Sequence, residues 1–195
     1  AIAQLVLSER ESRDMGWWKR MRECFHPDAR VRLSWIDGSA AEFVEGSIDM
    51  AARGMKATHR IAPPVVRLAG ERAVATFPAI IDIPATVIGV EAHLSSYARF
   101  LYRVERREGC WRIAFFDSIY MRDELVPAIP GQTISVTADD VASYRTSYRM
   151  LCYLLSLTGY VPSQELAGYD LPESAAALIA EVYGWADIEP DSGSG

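Results

Sequence analysis

Two alternating apolar runs, residues 90–105 and 110–121, flank the polar stretch 106–109 and predict one long β-hairpin. Side chains alternate faces along a strand, so the register of this hairpin decides which residues reach a core. Pairing Glu105 with Cys110 sets Val104 opposite Trp111, Tyr102 opposite Ile113, Phe100 opposite Phe115 and Ala98 opposite Asp117. A slip of one residue would mix Arg112 into the apolar face, so the pattern selects the first register. The inward face then reads Leu94, Ser96, Ala98, Phe100, Tyr102 and Val104 against Trp111, Ile113, Phe115, Asp117 and Ile119. An inward aspartate is costly unless it is paired. The small residues Ser96 and Ala98 beside it leave room, which is the first sign of a pocket.

Composition bounds the rest. A chain of 195 residues, 50% apolar and 24% charged, suits one domain or one domain with an appendage. A net charge of -6 argues against nucleic acid or a membrane surface as partner. The densest basic group, Arg103, Arg106 and Arg107, falls at a hairpin end, where a solvated turn accounts for it. Cys24, Cys110 and Cys152 are odd in number and lack CxxC spacing. That usage reads as reduced, cytoplasmic, and neither zinc-binding nor disulfide-framed. No run approaches the roughly eighteen apolar residues of a membrane helix, and the first residues lack a secretory pattern. Residues 189–195 are polar with Ser-Gly repeats and read as a disordered tail.

Along the chain, residues 1–25 are helical in pattern, with Ile2, Leu5, Val6, Trp17 and Met21 able to share one side and a bend at Asp14-Met15-Gly16. His26-Pro27-Asp28 closes the second helix. Val31, Leu33 and Trp35 alternate with Arg30, Arg32 and Ser34 as in a half-buried strand. Ser39-Ala40-Ala41-Glu42 has the spacing of a capping box, and Gly46-Ser47 suggests a break in the helix it opens. Strands follow over 56–68 and 72–83, the first interrupted by Pro63-Pro64, which removes two ladder donors. Beyond the hairpin, residues 120–132 read as a connector. Thr137-Ala138-Asp139-Asp140 predicts a helix running to Leu157, and Pro172 opens a last helix ending near Trp185. The expected organisation is a domain over 1–125, a helical extension over 126–188 packed on it, and the tail.

This order of elements, with Asp14-Met15-Gly16-Trp17, Phe25-His26-Pro27-Asp28-Ala29, Phe43-Val44-Glu45-Gly46, Thr58-His59-Arg60-Ile61 and Gly109-Cys110-Trp111-Arg112-Ile113, resembles the NTF2-like, SnoaL-like superfamily. The resemblance covers roughly Leu5 to Asp123. It implies an α+β cone of the NTF2-like (cystatin-like) type, a curved antiparallel sheet wrapped around an N-terminal helix, with the C-terminal helices added. It also implies a deep, apolar cavity. Members include dehydratases of scytalone type, ketosteroid isomerases, polyketide cyclases and many binding proteins. Their chemistry usually uses His, Asp and Tyr in a dry pocket without a cofactor.

The resemblance places His59 where several dehydratase-type members carry a pocket histidine. Its ordinary pKa suits it to pass protons at neutral pH, although a hydrogen-bonded core histidine reads the same way in sequence. Asp117, inward by register, would orient His59 or act as base. In ketosteroid isomerase an apolar site even holds an aspartic acid protonated. A buried aspartate pairing an arginine is the alternative. Asp14 falls where some relatives place a pocket carboxylate, while aspartate also simply favours bends. The tyrosine familiar before that carboxylate is missing here, with Glu9, Arg10 and Ser12 in its neighbourhood. Trp35, Ser96, Ala98, Phe100, Phe115 and Ile119 would line the pocket. The outer hairpin face, with His93, Tyr97, Leu101, Phe116 and Tyr120, is aromatic enough to predict burial by a second copy, giving a homodimer, or by the C-terminal helices. No metal motif, GxGxxG, GxxxxGK or GxSxG occurs, so no metal or cofactor is expected.

These observations define two expectations. One is a cofactor-independent dehydratase, isomerase or cyclase acting on a hydrophobic small molecule through His59, Asp117 and Asp14. The other is a non-catalytic binding or assembly protein. Contact between His59 and Asp117 beside a cavity would favour the first, and their separation the second.

Overall fold

The computed structural model describes residues 1–189, so all but the first residue of the expected disordered tail lies outside the described residues. Helix α1 (Ile2–Met15) ends at Gly16, whose φ of 71° supplies the left-handed turn into α2 (Trp18–Glu23). That turn leaves Trp17 exposed while Met21 reaches the core. Strands β1 (Phe25–Leu33) and β2 (Ile36–Ser39) lead to α3 (Ala40–Ala52). The Ser39–Glu42 capping box forms, and α3 runs unbroken through Gly46. A Cβ at Gly46 would come 2.7 Å from the Trp35 ring, so glycine there serves close packing rather than a break. His26, in the stretch expected to close the second helix, is instead buried in β1 and hydrogen-bonded to the Glu105 carbonyl at 2.9 Å.

Strands β3 (Thr58–Ile61) and β4 (Val65–Ala69) flank Pro63-Pro64 and both pair with β5 (Arg72–Val87). Strands β6 (Val90–Arg107) and β7 (Cys110–Pro127) form the long hairpin. The seven strands make one sheet, six in the order β2-β1-β7-β6-β5-β3 with β4 also paired to β5, antiparallel except for the β1–β7 pair. No helix among the described residues is long and apolar enough to cross a membrane.

The hairpin register differs from the expected one. Glu108 and Gly109 both take positive φ, 53° and 79°, so the turn has two residues and pairs Arg107 with Cys110. A bulge then leaves Ala114 unpaired, between Val104 opposite Ile113 and Arg103 opposite Phe115, and exchanges the faces of β7 beyond it. Phe116, Ser118 and Tyr120 therefore share the face of Tyr102, Phe100 and Ala98, whereas Phe115, Asp117 and Ile119 point the other way. A second bulge at Met121 exchanges them back, setting Asp123 opposite Ser96.

After β7 the chain makes only single 3-10 turns at Asp139–Val141 and Thr146–Tyr148 before α4 (Arg149–Leu157), in place of the one continuous helix expected. The Thr137–Asp140 cap forms, but it closes one turn. Helix α5 (Pro172–Trp185) starts on its proline as expected. Helix α4 joins the main core, with Leu151, Cys152, Leu154 and Leu155 buried among the residues that α1, α3 and the sheet supply. On the other face α5 lays Ala175, Leu178 and Val182 over Val74, Leu101 and Ile119. Leu101 is thus covered by α5 rather than held free for a second copy, and Phe116 lies in the main core stacked on Tyr102. His93 is exposed, and Tyr97 donates to Glu124 on the same face.

Candidate active site

Helix α1 brings its charged residues inward. Ile2, Val6, Glu9 and Arg13 recur at helical spacing and are all buried, so the stripe that begins apolar continues as charge. Glu9 accepts two hydrogen bonds from the Arg10 guanidinium and one from the Tyr102 hydroxyl, the latter at 2.8 Å. Arg10 also lies over the rings of Phe116 and Phe100, 4.9 and 5.6 Å from their centres. Paired and face-stacked in this way, it is a cation the interior can hold.

One turn further along α1, Asp14 reaches β3. Its Oδ1 receives the ring N–H of His59 Nδ1 at 2.6 Å, and its Oδ2 receives the His59 backbone N–H at 2.7 Å. The second bond fixes the strand, and the first fixes the ring. Register puts His59 opposite Ile81, on the concave face. Burial opposes ionisation of Asp14, but the hydrogen bonds from His59 and the nearby Arg10 charge outweigh it and hold the carboxyl below its ordinary range. Burial, with help from the Arg10 and Arg13 charges, pushes His59 below the ordinary imidazole value despite its bond to Asp14. The ring is therefore neutral at pH 7, protonated at Nδ1, with the Nε2 lone pair turned toward Arg10 Nη1 at 3.3 Å.

The His59 ring sits on the wall of a cavity of about 70 Å³, which Asp14 itself does not line. Trp35, Ile81, Ile83 and Phe100 supply apolar surface, Leu151 and Leu155 of α4 close it on one side, and Met55 and Lys56 stand between α3 and β3. Arg13 completes the wall. Trp35 packs against Phe43 and Tyr160, which stiffens that side.

The sequence-predicted residues divide. His59, Asp14, Trp35 and Phe100 come together around the cavity or its dyad. Ser96 and Ala98 are buried on the concave side without lining the cavity. Asp117, Phe115 and Ile119 lie on the convex face because of the Ala114 bulge. There Asp117 is bound by Arg32 Nε at 2.8 Å and Arg103 Nη2 at 3.0 Å, Phe115 carries the Arg103 guanidinium over its ring, and Ile119 packs under α5. Asp117 and His59 are thus on opposite faces of the sheet, and Asp14 is the carboxylate that His59 contacts. Glu9, Arg10 and Arg13 were not singled out as site residues, although their place in the Ile2–Val6 stripe is visible in the sequence. Tyr120 lines the cavity, contrary to its expected outer position.

A curved sheet wrapped on an N-terminal helix, with a pocket between them, defines the NTF2-like class of α+β proteins. Within it, the chain belongs to the SnoaL-like domain family, which matches residues 1–117. It is 27% identical to an uncharacterised protein of Emericella nidulans over 85% of this chain and 77% of that one. It is 28% identical to pea pathogenicity protein 2 of Fusarium vanettenii over 72% of this chain, a match spanning 62% of that longer protein. Among solved structures, the type 2 hexachlorocyclohexane dehydrochlorinase superposes with a TM-score of 0.55 at 14% identity, over 70% of this chain and 93% of that one.

Proposed function

We propose that the protein is a proton-transfer enzyme, a dehydratase, isomerase or cyclase that needs no cofactor and acts on a hydrophobic small molecule. The observation that carries this reading is the His59 ring on a largely apolar cavity wall, held through Nδ1 by the partly buried Asp14. The family to which the chain belongs includes dehydratases and isomerases. In the proposed reaction His59 Nε2 takes a proton from the substrate, the Arg10 contact at 3.3 Å giving way as it does so. Asp14 holds the ring tautomer and stabilises the imidazolium that forms. The same imidazolium then returns the proton, to a leaving hydroxyl in a dehydration or to a neighbouring carbon in an isomerisation.

The test is a panel of cyclic β-hydroxyketones followed by the absorbance of the enone product, with His59→Gln and Asp14→Asn as controls. Turnover by the wild-type protein that falls about a hundred- to ten-thousand-fold in His59→Gln is the expected result. Full turnover in that variant would overturn it. A second reading, a binding protein without chemistry, is favoured by one observation. A cavity of about 70 Å³ falls below the usual range for small-molecule sites, roughly 300–1,000 Å³. Ligand binding without turnover across the panel would select that reading.

A further inference from the structure

Arg13 is the wall residue whose chemistry the proton-transfer reading leaves unused. The residue is 93% buried, at 7% exposure, yet among the described residues its hydrogen-bond acceptor is the Met50 thioether, 3.8 Å from Nη2. A thioether is a weak acceptor, and a guanidinium presents five N–H donors. The acidic groups nearest in charge are already committed. Both oxygens of Asp14 hold His59, and both oxygens of Glu9 hold Arg10, with Tyr102 sharing one. Arg10 adds repulsion, and Tyr160 is the remaining titratable group that acts on Arg13. Burial and the Arg10 charge pull the Arg13 guanidinium down to about 10, the mark of a cation held where the protein alone does not compensate it. Lys56 adds a further positive charge to the lining of the same cavity, beside Arg13 and the Glu9-paired Arg10.

We infer that Arg13 is the anion-recognition residue of this pocket and that the ligand is a small apolar molecule bearing a carboxylate. The carboxylate would meet the Arg13 fork, which matches its two oxygens, while the apolar body lies against Trp35, Ile81 and Phe100. Such a ligand converts a costly buried cation into a paired one, so binding and the cost of the empty site are two sides of one arrangement. This inference rests on the cavity being a ligand site, but not on His59 acting as a base.

The experiment compares benzoate with benzamide, two probes of the same shape that differ in charge, by isothermal titration calorimetry on the full chain. Wild-type protein is expected to bind benzoate at least about tenfold more tightly, the effect of one charge-assisted pair. Arg13→Gln removes that preference and Arg13→Lys keeps part of it. The ligand-free Arg13→Gln protein melts no lower than wild type, because the uncompensated charge is gone; a residue with a purely structural role would lower the melting temperature. Should Arg13→Gln fail to fold, the wild-type preference and the Arg13→Lys protein still decide the matter. Equal affinities in the wild type, or a preference unchanged in Arg13→Gln, overturn the inference alone. Binding of neither probe overturns it together with the pocket reading. His59→Gln is expected to keep the preference for benzoate, so a failure of the proton-transfer reading leaves a distinct signature.

Discussion

Both faces of the sheet bury charge, and they do so in opposite ways. On the convex face Asp117 is bridged by Arg32 and Arg103, and Glu181 of α5 meets both arginines at 3.4 and 3.1 Å. Each Asp117 oxygen has a guanidinium donor, and α5 packs its apolar residues alongside. On the concave face the charges of α1 are unevenly matched. Glu9 and Arg10 satisfy one another, Asp14 is spent on a neutral histidine, and Arg13 is left with a thioether. An ion-pair network that bridges sheet and helix holds two layers together even with Arg103 Nε left without a hydrogen bond, whereas a guanidinium on a cavity wall with no carboxylate of its own is prepared for something that is not part of the chain. Burial of a charged group therefore does not identify a site; a cavity beside a cation that has no carboxylate of its own does.

The sharpest way to break this comparison is to disrupt the convex network. Asp117→Ala leaves Arg103, buried to within a few per cent, with only the half-exposed Glu181 carboxylate at 3.1 Å. The expected loss is about 3 kcal/mol in urea unfolding, the lower end for a broken buried pair because Glu181 still faces the guanidinium. Arg32 is 41% exposed and adds little to that figure. Folded Asp117→Ala protein should retain any turnover that depends on His59, since the sheet separates the two. Loss of turnover without loss of stability would instead return Asp117 to the site. A smaller effect is expected on the concave side from Tyr102→Phe. It removes one hydrogen bond to the Glu9 carboxylate, a loss of about 1.5–3 kcal/mol by the same measurement, with the Arg10 pair still in place.

The same contrast explains what the sequence could disclose. The helices of the domain and its long hairpin were legible because they rest on periodicity, capping and turn chemistry that act locally, whereas the cone followed only from the resemblance to the NTF2-like superfamily. The face of Asp117 was not, because one unpaired residue, Ala114, reverses the side chains from Phe115 to Tyr120, and nothing in the composition of 110–121 marks a bulge there. The two-residue turn at Glu108-Gly109 shifted the pairing but preserved the faces, so Val104 and Ile113 still point inward together. A carboxylate does sit opposite a small residue of β6, but at another strand position. Asp123, after the second bulge, is the carboxylate opposite Ser96. The contact of Asp14 with His59 depends on where α1 crosses β3, which no local pattern encodes. The charged stripe of α1 was readable as a continuation of Ile2 and Val6, but charge at core positions reads as solvent-facing until a tertiary structure encloses it.

Asp123 supplies the smallest and most specific test, because it ties the cavity roof to the sheet. Its Oδ2 accepts the Leu151 N–H at 2.8 Å, holding the start of α4, and burial pushes its carboxyl up to about 6. The folded protein thus binds this proton more tightly than the unfolded chain. Its contribution to stability is full below the ordinary carboxyl value of 3.8 and is lost as pH rises through about 6. His59 acts with the opposite slope. Its folded value lies below 6.5, so stability falls as pH drops beneath 6.5 and the unfolded imidazole takes up a proton. Asp123→Asn separates the two, since the amide can still accept from α4 but does not ionise. Between pH 5 and 7 the stability of the variant should rise relative to wild type by about 1 kcal/mol, a modest figure because the α4 amides stabilise the wild-type carboxylate. A difference that stays flat across that range would show that Asp123 enters neutral solution already ionised, and that the α4 roof is anchored by a charge like those of the convex face.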